Sequence, residues 1–266
     1  MNILVGSKLR VLHLTLNRPE KRNALNAEMC TSIVREIEAA QNRPEIGSVL
    51  ISARGHVFCS GMDLDQAAST PKDEMAEIHE RLFSLGANST KPIVVCVNGS
   101  ALGGGLGLVA QGHVVLSGQG CGFALPEVRV GLWPFLVYRS VEAALGSRRT
   151  LELSLTGRVF HSQEAQMWGL VHHVGAGNEI LDLAKVMARE LAKSSPEAIR
   201  AGMTYVAEAR GKSWVEKGEI AMRLRAELMA GADFQEGYEA FKEKREPRWP
   251  SIPQNFYEPA AATSDD

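Results

Sequence analysis

The chain has 266 residues and a mass of 28.9 kDa, the size of one large domain or of one domain with an appendage. Hydrophobic residues make up 45% and charged residues 23%, a composition that excludes a wholly disordered chain. The 29 basic and 31 acidic residues give a net charge of −2, so the chain has no global attraction to nucleic acid or to anionic membranes.

The cysteine spacing and the N-terminal segment predict the cellular compartment of the protein. No two cysteines have CxxC spacing, and no histidine lies at zinc-ligand spacing from a cysteine pair, so we expect reduced thiols at Cys30, Cys59, Cys96 and Cys121. The N-terminal segment lacks the long apolar region of a signal peptide, and no apolar run approaches the ~20 residues of a membrane span. We therefore expect a cytoplasmic protein with no membrane or nucleic-acid partner.

Strand-like and helix-like segments alternate along most of the chain. Apolar runs that end at turn residues predict strands over 9–16, 46–52, 93–97, 114–116 and 170–174. The continuously apolar run Ile93–Val97 is typical of a strand that is buried on both faces. Three helices are predicted to begin at Asn26, at Thr70-Pro71 and at Asn178. The inward face of the first is Met29, Ile33, Ile37 and Ala40, and that of the second is Met75, Ile78, Leu82 and Leu85. The inward face of the third is Ile180, Ala184, Met187 and Leu191.

The C-terminal third has a different pattern. From residue 196 to about residue 246 only helical patterns occur, which predicts a helical subdomain after an α/β core. The end of the chain is rich in Pro, Ala, Ser and Asp, a composition typical of a flexible tail. We divide the chain into a core over 1–195, a helical region over 196–250 and a flexible tail over 251–266.

A glycine cluster follows the buried strand, over residues 98–108. Three interpretations compete: a dinucleotide site, close helix–strand packing, or an oxyanion hole made from backbone amides. The segment Gly105–Ala110 matches G-x-G-x-x-A, but seven residues separate it from the strand and no acidic residue ends the next strand. A second loop, over residues 53–64, also follows a strand and also contains glycine, so two loops could each supply one amide to an oxyanion.

A set of short segments occurs in one order along the chain: Asn17-Arg18-Pro19, Arg22-Asn23-Ala24-Leu25-Asn26, Phe58-Cys59-Ser60-Gly61-Met62-Asp63-Leu64, Asn98 to Gly105, Phe123-Ala124-Leu125-Pro126-Glu127 with Gly131, Gly157, Glu164-Ala165, Trp168-Gly169-Leu170-Val171, and Glu236-Gly237 with Phe241 and Lys244. In this order the segments resemble the crotonase superfamily, also called the enoyl-CoA hydratase/isomerase family, over the chain up to about Pro250. The resemblance implies a crotonase-like spiral of β-β-α units with a helical C-terminal region. It also implies that this region supports trimer contacts, in a homotrimer or a dimer of trimers.

The resemblance also implies an acyl-CoA substrate and site residues. The amides of Met62 and Gly104 would hold the thioester oxygen, and Glu127, in its Pro-Glu pair, would be the acid/base. Coenzyme A enters as part of the substrate, and no metal or separate cofactor is implied. The residues implied to contact substrate or coenzyme A are Arg22, Ala24, Ser60, Met62, Asp63, Leu64, Gly104, Trp133 and Lys244.

The main departure from the family pattern is Gly107, where the family's first catalytic carboxylate is expected. Glycine there indicates either tight packing or room for a bulkier acyl group, with the apolar run Leu132–Phe135 lining the pocket. Glu127 would then be the only carboxylate of the site, and one carboxylate can shuttle one proton between two carbons. Isomerisation of an enoyl-CoA is therefore the favoured reaction, and hydration of an enoyl-CoA at a one-Glu site is an alternative. A non-catalytic acyl-CoA-binding protein and an acyl-CoA hydrolase remain as alternatives. The histidines His56, His113, His172 and His173 are expected to be structural or exposed.

Overall fold

The computed structural model describes residues 1–67 and 72–257, which contain ten strands and twelve α-helices. The strands are β1 Ile3–Lys8, β2 Val11–Leu16, β3 Ser48–Ala53, β4 Val57–Cys59, β5 Ile93–Val97, β6 Ser100–Leu102, β7 Val114–Gly118, β8 Gly122–Ala124, β9 Phe160–His161 and β10 His173–Gly175. The helices are α1 Ala27–Gln41, α2 Leu64–Ala67, α3 Lys72–Leu82, α4 Leu85–Asn88, α5 Gly104–Val109, α6 Phe135–Leu145, α7 Ser147–Thr156, α8 Ser162–Met167, α9 Gly177–Lys193, α10 Pro196–Glu208, α11 Trp214–Met229 and α12 Ala232–Glu243.

The strands form two sheets. The larger sheet has the order β1-β2-β3-β5-β7-β10 and is parallel except for the antiparallel hairpin of β1 and β2. The smaller sheet has the order β4-β6-β8-β9 and is parallel except for β9. Successive strands alternate between the sheets, because β3, β5 and β7 belong to the larger sheet and β4, β6 and β8 to the smaller one.

This alternation produces the predicted spiral. Each pair of strands is followed by a helical segment, so β3-β4, β5-β6 and β7-β8 each begin one β-β-α turn. The main core lies where both sheets face the helices, and its largest fully buried side chains include Phe58, Phe123 and Phe160. A second core packs α9 against the opposite face of the larger sheet, where Ala184 and Ala188 meet Val94 and Leu116. The fold class is therefore α/β, as predicted.

Local sequence signals are confirmed at several elements. All five residues of β5 are buried, as a strand covered on both faces requires. The Asn26 side chain accepts a hydrogen bond of 2.9 Å from the Met29 N–H and caps α1. All four predicted inward residues of α1 are buried.

Other predicted boundaries were wrong. The first long strand begins at Val11 and not at Leu9, because Leu9 and Arg10 have φ values of 52° and 62° and form the hairpin turn. Asn178 does not cap α9, which begins at Gly177 after Ala176. Helix α3 ends at Leu82, so Leu85 belongs to α4. The start predicted at Thr70-Pro71 lies outside the described residues.

The last described part of the chain is helical, as the pattern over 196–246 predicts. Helices α10, α11 and α12 bury few of their side chains within this chain. The segment expected to be a flexible tail begins differently: Ile252 is buried, and Ser251 donates hydrogen bonds to Asp233 from its N–H and its hydroxyl. Residues 258–266 lie outside the described residues. None of the described helices is both long and apolar enough to cross a bilayer.

Candidate active site

Two backbone amides, those of Met62 and Gly104, lie next to each other where the two strand-end loops meet. A methyl group built on Gly104 would lie 3.7 Å from the Met62 nitrogen, and one built on Gly61 would lie 3.4 Å from the Gly104 nitrogen. Within residues 1–67 and 72–257, neither N–H donates a hydrogen bond. Free amides at a helix start can bind an oxygen that gains negative charge, and Gly104 is the first residue of α5.

A short bridge holds the Met62 amide in place. Leu25 and Met62 form an isolated parallel bridge, in which the Leu25 N–H donates to the Gly61 carbonyl at 2.8 Å. The Asp63 N–H returns a hydrogen bond of 2.9 Å to the Leu25 carbonyl. Because both neighbours of Met62 are engaged, its own N–H has a defined direction.

Two polar side chains tie the loop over residues 18–25 to the loop over residues 54–63. Asn23 is fully buried, and its side-chain amide donates to the carbonyls of Arg54 and Val57, each at 2.8 Å. The Arg18 guanidinium donates to the Ala24 carbonyl at 2.7 Å and to Asp63 Oδ2 at 3.0 Å. These contacts fix the loops before any substrate arrives, which is a condition for electrostatic stabilisation of an oxyanion.

Glu127 brings a carboxylate to the same place. It begins a short 3-10 turn over Glu127–Val130, directly after β8 and Leu125-Pro126. A methyl group on Gly103 would lie only 2.8 Å from Glu127 Oε1, so the carboxylate rests directly on the loop that presents the Gly104 amide. Gly103 also has a φ of +53°, so both the conformation and the space favour glycine at this position.

The environment of Glu127 favours the protonated form. The side chain is half-buried, and its Oε2 is enclosed without a hydrogen-bond partner among the described residues. Burial raises the pKa of Glu127 above its ordinary value, and a hydrogen bond from its own backbone partly opposes the rise. A carboxyl group with a raised pKa can both accept and return a proton near neutral pH.

Gly107 faces side chains and not an open pocket. A methyl group on Gly107 would lie 2.9 Å from Phe83 Cε1 and 3.0 Å from Val137 Cγ2. Phe83 is 5% exposed, and its Cζ would also lie 3.4 Å from a methyl group on Gly104. Of the two interpretations, packing is therefore supported: the room expected for a bulkier acyl group is filled by Phe83 and Val137.

Gly105 also has a packing role. A methyl group there would collide with the Cys59 carbonyl, because α5 packs closely against β4. This contact supports close helix–strand packing as the role of Gly105.

The remaining predicted contact residues divide between the loops and the surface. The Arg22 carbonyl accepts a hydrogen bond of 3.0 Å from the Ser60 N–H, so both residues lie where the two loops join. The Arg22 side chain and Leu64 are exposed, whereas Ala24, Ser60 and Asp63 are half-buried. Trp133 is half-buried and stacks on Tyr138 with ring centroids 6.1 Å apart, beyond the Glu127 turn.

Lys244 is not brought to this cluster. It is exposed, has a φ of +56° and ends α12, where its N–H donates to the Phe241 carbonyl. In the described part of the chain, no ion pair or side-chain hydrogen bond joins Lys244 to the loops of the site.

The histidines named above have structural or exposed positions, and the cysteines are buried. The His113 ring accepts from the Ile93 N–H at 2.9 Å and bonds to the Gly86 carbonyl, and the His172 ring accepts from the Val115 N–H at 3.0 Å, so both are structural. His56 and His173 are exposed. The four cysteines are buried free thiols. Over residues 1–67 and 72–257, no group of three His, Cys, Asp or Glu side chains could hold a metal ion.

The sequence prediction missed three residues that shape the site. Arg18 and Asn23 occur in the motifs, but their hydrogen bonds could not be assigned from spacing. Phe83 carries no motif, and its only signal is that it is a large apolar residue directly after Leu82 of the predicted inward face. Its contact with Gly107 joins elements that are distant in sequence.

Comparisons with known proteins identify the family and the fold of the chain. The family model described as enoyl-CoA hydratase/isomerase matches residues 7–252. The chain is 34% identical to mevalonyl-coenzyme A hydratase of Aspergillus fumigatus, over 90% of this chain and 91% of that protein. It is 33% identical to 2,3-dehydroadipyl-CoA hydratase of Escherichia coli, over 92% and 97% of the two chains. The crystal structure of human enoyl-coenzyme A hydratase domain-containing protein 3 superposes with a TM-score of 0.88 at 26% identity, covering 94% of this chain and 100% of that one.

Proposed function

Because the chain belongs to the enoyl-CoA hydratase/isomerase family of acyl-CoA enzymes, we propose that its site moves the double bond of an enoyl-CoA thioester. Glu127 takes a proton from C2 or C4 of the acyl chain and returns it at the other carbon. The thioester oxygen carries the negative charge of the dienolate between the two steps. The reaction changes no oxidation state, so coenzyme A enters only as part of the substrate.

The Met62 and Gly104 amides stabilise that charge. Both N–H groups are adjacent and lack a partner among the described residues, and the loops that present them are tied by Asn23 and by the Arg18–Asp63 ion pair. Loss of one such donor typically reduces the rate by about 10²–10³-fold. The thioester oxygen is therefore placed between Met62 and Gly104, with the carbons to be deprotonated facing Glu127.

The observation that carries this proposal is the packing around Gly107. A hydratase that uses two carboxylates needs a second acid group there, but Phe83 and Val137 fill the space. Glu127 is left as the single acid/base beside the amides. One carboxyl group suffices for isomerisation, because the proton that it abstracts is the proton that it returns.

Hydration by a one-Glu site is the second candidate. It is favoured by the relatives, since the two proteins at 34% and 33% identity are both named hydratases. In that case Glu127 would activate the water by itself. A protein that only binds acyl-CoA is less well supported, because binding alone needs no enclosed carboxylate beside the amides. Hydrolysis is also less well supported. The resemblance implies that a hydrolase of this family carries Phe-Pro-Asp near the acid/base, whereas this chain has Trp133-Pro134-Phe135, which lacks the acid group.

Coenzyme A is proposed to lie along the joined loops, next to Arg22, Ala24, Ser60, Asp63 and Leu64, with Trp133 on the acyl side. Since Lys244 has no hydrogen bond or ion pair with these loops in the described part of the chain, we propose that a second copy of the chain brings it to the coenzyme. Such an assembly, a homotrimer or a dimer of trimers, would use the exposed apolar face of α10–α12, where Trp214 is 89% and Phe241 83% exposed.

The test is incubation of the protein with trans-2-enoyl-CoA and, separately, with trans-3-enoyl-CoA. Interconversion of the two compounds, without formation of 3-hydroxyacyl-CoA, is the result expected. Rapid formation of 3-hydroxyacyl-CoA would favour hydration. Tight binding with no turnover of either compound would favour a non-catalytic protein.

A further inference from the structure

The short 3-10 turn that carries Glu127 has little support of its own. None of the residues of this turn, Glu127–Val130, is buried, and Arg129 and its two neighbours are exposed. Two backbone hydrogen bonds close the turn: the Arg129 N–H donates to the Pro126 carbonyl at 2.9 Å, and the Leu132 N–H donates to the Glu127 carbonyl at 3.0 Å. Such local bonds shape a turn but do not fix it against the rest of the fold, so its position depends on a neighbouring element.

That element is the end of α7. Strand β9, which follows α7, pairs antiparallel with β8, which precedes the turn, and Phe160 lies opposite Phe123. Continued in the same register, the two segments bring Gly157 opposite Pro126. The contact is present: a methyl group built on Gly157 would lie 3.4 Å from Pro126 Cα and 3.5 Å from the Leu125 carbonyl oxygen. The end of α7 therefore lies against the start of the turn.

Arg129 completes the same contact from the exposed side. Its Nη2 donates to the Thr156 carbonyl at 3.3 Å, and a methyl group on Gly157 would lie only 3.0 Å from its Nε. The last carbonyls of a helix have no partners within the helix and carry partial negative charge, so a guanidinium is favoured there. Glycine leaves room for this guanidinium, and the Gly157 φ of +56° also favours glycine.

The end of α7 is a fixed surface for the turn. Leu153 and Ser154 are fully buried, and the Gly157 N–H donates to the Leu153 carbonyl at 2.9 Å. The carboxylate of Glu127 in turn fits closely over Gly103, where a methyl group would lie 2.8 Å from its Oε1. A shift of the turn on the end of α7 would therefore move the carboxylate relative to the oxyanion loop.

We propose that Gly157 and Arg129 are positioning residues, which hold the Glu127 turn against the end of α7 and so keep the carboxylate at the reacting carbons of the substrate. The proposal rests on the proposed function only in taking Glu127 as the acid/base. Since a misplacement of about 1 Å can reduce a rate by about 10²-fold, a loosened turn should lower kcat. The KM should change little, because the amides of Met62 and Gly104 take no part in this contact.

Gly157→Ala tests the contact without changing a charge. Its methyl group would strain the left-handed backbone and press on the Arg129 guanidinium. The matched control is Gly211→Ala, because Gly211 also has a positive φ, of +72°, but no atom of the described residues would lie within 4 Å of its added methyl group. The two variants share the backbone strain, and only Gly157→Ala disturbs the Glu127 turn.

Arg129→Met removes the hydrogen bond to the end of α7 at an exposed position, where the substitution leaves the core intact. Arg129→Lys keeps the charge and a donor. The matched control is Arg148→Met, which changes an exposed arginine in the first turn of α7, at the opposite end of the helix.

The kinetic readout is kcat and KM for the enoyl-CoA reaction that the wild type catalyses. Gly157→Ala should lower kcat by about 10–100-fold with little change in KM, and Arg129→Met should lower it by a smaller factor. Arg129→Lys should recover part of the loss, and both control variants should resemble the wild type. A wild-type kcat in Gly157→Ala or in Arg129→Met, a loss that appears in KM alone, or an equal loss in Gly157→Ala and Gly211→Ala would overturn the proposal.

The second readout does not depend on turnover. Burial raises the pKa of Glu127, and a loosened turn would admit water and return this pKa toward the ordinary 4.5. NMR titration of protein labelled at the glutamate carboxyl carbons measures it, and the signal that is lost in Glu127→Gln identifies the residue. The pKa should fall in Gly157→Ala and remain at its wild-type value in Gly211→Ala. An unchanged pKa in Gly157→Ala would count against the positioning role.

The two readouts separate this proposal from the proposed function. A wild type that converts no enoyl-CoA would defeat the proposed reaction, whereas a lowered Glu127 pKa in Gly157→Ala would still show that the end of α7 positions the carboxyl group. A wild type that isomerises enoyl-CoA, with variants that match it in kcat and pKa, would overturn the positioning role alone. Circular dichroism shows whether each variant is folded, and Arg129→Met provides the readout if Gly157→Ala does not fold.

Discussion

Burial of Glu127 disfavours the ionised carboxylate, which is the form that acts as the base in the proposed reaction. The charged form loses hydration, and Oε2 gains no hydrogen bond in return from the described residues. Catalysis by the ionised base should therefore decline as the pH falls through a pKa that lies above the ordinary 4.5.

Glu127→Gln should reduce kcat for isomerisation by about 10²–10⁴-fold, because the amide cannot accept the proton. Binding of saturated acyl-CoA should change little, since the amides of the oxyanion site are untouched. Initial rates and calorimetric titrations check the two expectations. Turnover that is unchanged in Glu127→Gln would rule out the mechanism.

The same residue predicts a pH dependence of stability. A carboxyl group whose pKa is raised in the folded state binds more protons there than in the unfolded state, so the contribution of Glu127 is most favourable below pH 4.5 and is lost as the pH rises through the raised pKa. The free energy of unfolding of Glu127→Gln minus that of the wild type should therefore be larger at pH 7 than at pH 4.5. Urea titrations at the two pH values measure it, and a difference that does not depend on pH would contradict the raised pKa.

Replacing Gly107 with alanine should change the free energy of unfolding through two opposing effects, helix propensity and packing. Alanine would gain up to about 1 kcal/mol of helix propensity, but its methyl group would press on Phe83 and Val137, and overpacking typically costs about 1–3 kcal/mol. Gly107→Ala should therefore destabilise the protein by about 1 kcal/mol. Phe83→Leu in the same background should relieve part of that loss. Additive effects in the double-mutant cycle would mean that the two side chains do not compete for this space.

At the scale of elements, the oxyanion site depends on the contact between two loops that are far apart in sequence. The loop over residues 18–25 precedes α1, and the loop over residues 54–63 follows β3 and includes β4. Arg18 and Asp63 join them with side chains that are each 13% exposed. Water screens this pair less than it screens an exposed pair, so the attraction between the two side chains is stronger. Because Asp63 follows Met62 directly, loss of the pair should displace the Met62 amide.

Asp63→Asn tests this connection between the loops. The variant should lower the free energy of unfolding by about 1.5–3 kcal/mol, the range for a hydrogen bond to a charged group, and should raise the KM for acyl-CoA. The matched control is Asp65→Asn, because Asp65 is 92% exposed and its ion pair with Lys21 is long at 3.9 Å. Equal effects in the two variants would argue against a special role for the Arg18–Asp63 pair.

At the scale of the molecule, the C-terminal helices leave a large apolar surface uncovered. Trp214, Met222 and Phe241 are each at least two-thirds exposed, and a groove of about 380 Å³ between α10 and α11 is lined by Tyr205, Leu224, Leu228 and Met229. Exposed apolar area of this kind typically marks a contact between proteins. This surface is the basis for the proposed trimer.

Phe241→Asp should shift the protein toward a smaller species, because it places a charge in the proposed interface. Multi-angle light scattering after size exclusion measures the mass. The control is Leu9→Asp, which changes an exposed apolar residue on the β1-β2 hairpin, outside the C-terminal helices. A wild-type mass of 28.9 kDa would overturn the trimer proposal directly.

The amino-acid sequence by itself determined the features that depend on near neighbours and on ordered motifs. The continuous apolar run of β5, the Asn26 cap of α1 and the helical C-terminal third follow from local physical chemistry. The strands β4, β6 and β8 were not predicted, because three residues are too few to show a period. The order of the motifs nevertheless predicted the family and its spiral.

Only the tertiary structure decided what surrounds each functional group. Gly107 allowed two interpretations until Phe83 and Val137 were found in the space beside it. The adjacency of the Met62 and Gly104 amides and the Arg18–Asp63 pair also arise between segments brought together by folding. Packing across the core depends on the volumes and directions of side chains that are distant in sequence, and no periodicity or spacing within one segment encodes these.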